Sequence, residues 1–237
     1  MTSRELKAKA QALRAAGRTP KQIARELGVT RAVATNLVRG TAVDRPNRVH
    51  PSELPLVGCW VSRQWSNGLG FTDRPDDWVD DEELLPMAVG AGLVSVAVAR
   101  RAGDALVTCG FLVDTYCLGV KNALPPTTSG PGELPYFVAD FFAAYDSEPL
   151  AAPADLAREL VFGAVDYARG LGFDPHRDFY SAAPHLGTWE PPSRITFGLD
   201  GKPYFQQGPH DNPQRIIRTL DKSVGAGNYH LTVVSEV

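Results

Sequence analysis

Two sets of residues in this sequence have the types and spacing for chemistry. The first is Arg31, Thr35, Asn36 and Arg39, with Thr30 just ahead of them. On a helix these side chains spread over a polar face. Guanidinium groups pair with guanine and amides with adenine in a major groove, so the set suits the reading of base edges. The second set is Asp114 with Asp174, His176 and Asp178. In an extended chain residues 174, 176 and 178 share one face. Carboxylates beside an imidazole suit a divalent metal or proton transfer. Asp114 lies within the apolar run FLVDTYCLG, where a carboxylate needs water or a partner such as Lys121. The other reading of Asp114 is a structural carboxylate at a strand end, and Pro175 lets D-x-H-x-D be an ordinary turn. A third set, Arg215 and Arg218, stands near the start of a final helix whose free N–H groups favour an anion.

The first set needs a helix to present it. Thr19-Pro20-Lys21-Gln22 has the form of a capping box with proline at the first helical position. Ile23, Ala24 and Leu27 then share a face, and Gly28 permits the left-handed turn that ends the helix. Thr30 caps a following helix with an apolar stripe of Val33, Ala34, Leu37 and Val38. Ser3 to Ala16 supplies a helix ahead of both. Glu5 to Arg39 resembles the homeodomain-like helix-turn-helix of bacterial regulators: Ala24, Gly28 four residues on, and apolar Leu37. The resemblance implies an all-α helix-turn-helix module that docks its second helix in the major groove of double-stranded DNA. The chain departs from that pattern at Ala34, where the family carries Val or Ile.

Charge points the same way. Residues 1–50 hold 11 Lys and Arg against 3 Asp and Glu, a net +8, whereas residues 51–237 carry −11. A segregation this strong directs the N-terminal part to a polyanion. Lys7 and Lys9 are candidates for phosphate contacts. Each bidentate base contact discriminates by about 1–3 kcal/mol, whereas specific binders need roughly 4–10 kcal/mol over non-specific DNA. One copy is marginal, so a homodimer is expected.

The boundaries that follow are a module at 1–40, a proline-containing linker at 41–56 and an α+β domain at 57–237 with a mainly antiparallel sheet. In that domain Leu93 to Val120 predicts a hairpin turning near Ala102-Gly103, and residues 122–135 predict a loop. Ala154 to Arg169 predicts a helix with Leu156, Leu160, Ala164 and Tyr167 inward. Asp200-Gly201 predicts a second hairpin, Asp211 or Asn212 caps a last helix, and Tyr229 to Val234 predicts a last strand. The acidic block from Asp76 to Glu83 predicts a short amphipathic helix, either simply solvated or docking on the basic module.

MTSRELKAKA has no apolar run, and Ala88 to Ala99 is about half the ~20 residues of a spanning helix, so a cytoplasmic protein without a membrane span is expected. Cys59, Cys109 and Cys117 lack metal-ligand spacing and fit buried thiols. The leading functional reading is a DNA-binding transcriptional regulator, with no cofactor, whose C-terminal domain dimerises or senses a ligand. The alternatives are a nuclease-like enzyme using a divalent metal at Asp114, His176 and Asp178, and an adaptor that binds protein through the acidic block.

Overall fold

The computed structural model describes residues 3–38, 49–80 and 92–233, with side chains from Glu5 onward. The chain divides into two compact units, Met1–Val49 and His50–Val237. Among the described residues no helix is long and apolar enough to cross a membrane.

Residues 3–38 form α1 (Ser3–Ala15), α2 (Pro20–Leu27) and α3 (Arg31–Leu37). Thr19 Oγ1 accepts from Gln22 N while Gln22 reaches back to Thr19 N at 2.9 Å, closing the capping box. Gly28 ends α2 at φ 66°, a conformation open to glycine at little steric cost. Thr30 accepts from Val33 N at 3.3 Å and starts α3. Ala10, Ile23, Ala24, Ala34 and Val38 form the small core, and Leu13, Leu27, Val29 and Leu37 pack on it. Val33, expected in the apolar stripe, faces solvent.

The N-terminal region does not form the clear all-α helix-turn-helix fold expected of it. The N-terminal region holds only short helices, of 13, 8 and 7 residues. Residues 39–48, which include Arg39 and the first half of the expected linker, lie outside the described residues. The chain as a whole is mixed α/β.

The second unit is organised on a five-stranded antiparallel sheet with strands β1 (Leu56–Val61), β3 (Leu93–Ala102), β4 (Ala105–Asp114), β5 (Gly119–Ser129) and β6 (Leu150–Ala152), in the order β5-β4-β3-β1-β6. The expected hairpin is β3–β4, with Ala102 paired to Ala105 across the Gly103-Asp104 turn. Strand β3 is buried on both faces over most of its length, which explains why its residues do not alternate between apolar and polar. On one face Val94, Val96, Val98, Cys109, Phe111 and Val113 meet Leu156, Leu160 and Ala164. On the other, α4 (Leu134–Phe141) lays Phe141 against Gly110, where a Cβ would come within 2.4 Å of the ring.

Strand β5 runs to Ser129, through residues expected as a loop. Pro125 and Pro126 are tolerated because β5 is an edge strand and its register with β4 shifts between Thr108 and Gly110, opposite the prolines. The helix expected from Ala154 is present as α5 (Ala154–Arg158), a π-turn at Glu159–Gly163 and α6 (Ala164–Gly170).

The Asp200-Gly201 turn forms, with positive φ at both residues and Leu199 bridged to Lys202. Its flanks do not make a hairpin. Strand β7 (Ile195–Thr196) pairs with β2 (Gly70–Phe71), and β8 (Tyr204–Gln206) pairs in parallel with β9 (His230–Thr232). Val234 lies outside the described residues. Asn212 Oδ1 accepts from Arg215 N at 3.0 Å and caps α8 (Pro213–Ser223). Ile216 and Leu220 of α8 pack with Cys117, Leu118, Leu171 and Phe205 in a second, smaller core.

The acidic block is not the expected amphipathic helix over its described part. Asp76 and Asp77 lie in a turn, Trp78 is buried, and Asp80 accepts from Gln64 N, Ser66 N and Ser66 Oγ at 2.7–2.8 Å. Residues 81–83 lie outside the described residues. Between Pro51 and Leu56, assigned to the linker, Arg100 donates to Ser52 O at 3.1 Å and Leu54 O at 2.6 Å, so this stretch is held on the sheet.

Candidate nucleic-acid interface

Helix α3 turns Ala34 fully into the small core, and this sets which side chains face out. Arg31, Thr35 and Asn36 are exposed, as are Thr30 at the cap and Ala32 and Val33 between them. Thr35 Oγ1 donates to Arg31 O at 2.8 Å, so its hydroxyl proton is held by its own helix. Thr30 Oγ1 is likewise engaged as the cap. Arg31 and Asn36 are thus the side chains of α3 best suited to base edges. Lys21 and Arg25 are also exposed, on α2.

Lys7 and Lys9 are both exposed on α1. Two residues apart on a helix they point roughly 200° from each other. A single straight duplex can therefore meet one of them well, not both.

The second set of candidates does not assemble. Asp114 ends β4 and turns back on its own chain, where Oδ1 accepts from Tyr116 N and Cys117 N, each at 2.9 Å. Lys121, expected as its partner, pairs instead with Asp211 at 2.7 Å. The 174–178 stretch is not an extended strand. Asp178 adopts a helical conformation ahead of α7 (Phe179–Ala182), and its N–H approaches His176 Nδ1 at 3.3 Å. Among the described residues no group of three or more His, Cys, Asp and Glu side chains stands close enough to hold a metal ion. The metal-centred set of Asp114, His176 and Asp178 is therefore not brought together.

The fold assembles a different set. An open cleft of about 410 Å³ is lined by Lys121, Asp174, His176, His210, Asp211 and Arg215, among others. Asp174 and His176 belong to the expected string and Arg215 to the expected anion site, whereas Asp178 does not line the cleft. Lys121, His210 and Asp211 were not legible as site residues. Asp211 lies 90 positions from its partner Lys121. Its carboxylate also accepts from Gly208 N at 2.7 Å, which shapes the loop before α8.

The three cysteines are free and buried. Burial pushes Cys59 up to about 11 and Cys109 up to about 12, so neither is a thiolate nucleophile near neutrality. Burial also pushes the Asp114 carboxyl up to about 6, against the pull of the Lys121 charge and the backbone N–H groups. An unfolded aspartate titrates near 3.9, so between about pH 4 and 6 the folded chain binds this proton more tightly than the unfolded one. The protonated side chain favours folding most below about pH 4, and that contribution is lost as pH rises through about 6. Asp114→Asn keeps the acceptor oxygen and removes the titration. In urea melts its stability relative to wild type should rise between pH 4 and 7, by up to about 3 kcal/mol.

No family model matches the chain, and no solved structure matches it. The chain is similar to integrin alpha-8 of Gallus gallus, 31% identical over 143 residues, which cover 56% of this chain. They cover 13% of that protein, so the match spans a small part of its length and assigns no family.

Proposed function

We propose that this protein binds double-stranded DNA through its N-terminal unit and acts as a cytoplasmic transcriptional regulator. The C-terminal unit would bring two copies onto one duplex or sense a ligand. One observation carries the reading. The +8 of residues 1–50 is concentrated on a unit whose last described helix exposes both Arg31 and Asn36, while the rest of the chain carries −11. Exposed cations draw the unit to the phosphate backbone. Arg31 and Asn36 supply the forked donors and the amide that distinguish guanine and adenine.

Competitive binding of the full-length chain to a pool of random duplexes tests this. Arg31→Ala and Asn36→Ala should each weaken the preferred duplex by about 1–3 kcal/mol and relax preference at one base pair. Lys7→Ala or Lys9→Ala should weaken all duplexes alike, and one of the two more than the other. Unchanged preference after Arg31→Ala would remove α3 from the groove.

A further inference from the structure

We infer that the C-terminal unit carries its own binding groove for the phosphate backbone of a nucleic-acid duplex, formed by Arg169, Arg215, Arg218 and Lys222. The inference rests on the reading of the protein as a duplex-DNA binder and adds a second surface to it.

The groove lies between the end of α6 and one face of α8, with a volume of about 580 Å³. Its lining is Arg169, Gly170, Leu171, Gly172, Arg215, Arg218, Thr219, Lys222 and Ser223. Four of these are cations and none is a carboxylate, on a part of the chain whose net charge is −11. All four cations are exposed, and none of them makes an ion pair among the described residues. Arg218 Nε donates to Gln214 O at 3.1 Å. The nearby Asp221 is turned to Tyr229, whose hydroxyl donates to it at 2.8 Å.

Like charges at helical spacings of three and four repel one another. Arg215, Arg218 and Lys222 nonetheless take those spacings on one face of α8, with Arg169 facing them from α6. A polyanion relieves that repulsion. The row from 215 to 222 spans about 10 Å along the helix axis. One strand of a duplex places a phosphate about every 3.4 Å of axis, so the row meets about three of them. The lining has no aromatic side chain, and single strands are held largely by stacking on such rings. The groove therefore fits duplex backbone, without base reading. Gly172, Arg215 and Thr219 line both the groove and the cleft of His176 and His210, so the two surfaces are continuous.

The test is the salt dependence of full-length protein binding a 20-base-pair duplex, a single strand of the same sequence, and inorganic phosphate. In one variant Arg169, Arg215, Arg218 and Lys222 become Gln; in a second, Lys7, Lys9, Lys21 and Arg31 become Gln. The groove variant should flatten the slope of log affinity against log salt by about 3, given roughly 0.9 per phosphate contact, and weaken every duplex sequence alike. The second variant should keep a residual duplex affinity with a slope of about −3. A triple Arg→Lys variant of the groove should restore the wild-type slope, which separates lost charge from lost fold. An unchanged slope in the groove variant overturns the inference. Tighter binding of the single strand, or competition by millimolar phosphate that abolishes groove-dependent binding, overturns its assignment to a duplex backbone. Loss of binding in the groove variant alone would leave the groove standing and remove the N-terminal reading instead.

Discussion

Ile23→Ala is expected to unfold residues 3–38 while leaving the second unit folded, and to abolish recognition of any preferred duplex. Ile23 is fully buried in a core built from Ala10, Ala24, Ala34 and Val38, most of them small. Truncating a buried Ile costs about 2–5 kcal/mol. At roughly 0.05–0.15 kcal/mol per residue, a unit of this size holds only about 2–5 kcal/mol in total. The substitution therefore removes most or all of its stability. Hydrogen exchange should show fast amides through α1 to α3 and unchanged protection in β3 and β4. Protection retained in α2 would mean that the small unit is held by more than its own core.

Arg194→Ala should have the largest effect on the second unit. Glu159, on the π-turn, is buried and accepts from Ser193 Oγ at 2.7 Å, Arg194 N at 3.2 Å and Arg194 Nε at 3.3 Å. The same guanidinium reaches Asp155 at 3.0 Å and lies over the ring of buried Trp78, 4.4 Å from its centroid. Removing Arg194 leaves the Glu159 carboxylate buried without its cation, which costs about 3–5 kcal/mol. The exposed half of the network, through Asp155, contributes little of that. Urea denaturation should show the loss, and Glu159→Gln added to Arg194→Ala should recover part of it. Burial raises the Asp155 carboxyl, but hydrogen bonds from Arg194 and Trp78 outweigh this and hold it below the ordinary range. Its contribution is thus present near neutrality and lost as pH falls through that lowered value. Arg194→Ala should weaken this acid-side dependence.

Local grammar was legible wherever a residue acts on its immediate neighbours. The Thr19–Gln22 capping box, the left-handed Gly28, the Thr30 cap, the β3–β4 hairpin and the buried thiols all act at short range or through composition. Strand β5 was not legible beyond Val120, because prolines read as a break unless an edge position and a register shift accommodate them. Asp200-Gly201 announced its turn correctly, but partners distant in sequence decide which strands its flanks join. Asp80 read as one more surface acid, whereas it caps the loop of Gln64 and Ser66. The groove was only half visible. Arg215 and Arg218 share a helix, but Arg169 meets them only because Leu171 and Ile216 pack in one small core. Asp114, His176 and Asp178 had the right chemistry, but the chain spends Asp114 on its own turn.

Duplex binding through the N-terminal unit stands or falls on the affinity of the whole chain for a 20-base-pair duplex across 50–300 mM salt, with and without Lys7, Lys9, Lys21 and Arg31 changed to Gln. Binding should weaken steeply with salt, by about 0.9 in log–log slope per phosphate contact, and the slope should be about 2 units shallower in the variant. A duplex affinity that is absent at 50 mM salt, or a slope that the four substitutions leave unchanged, would contradict duplex binding through that unit.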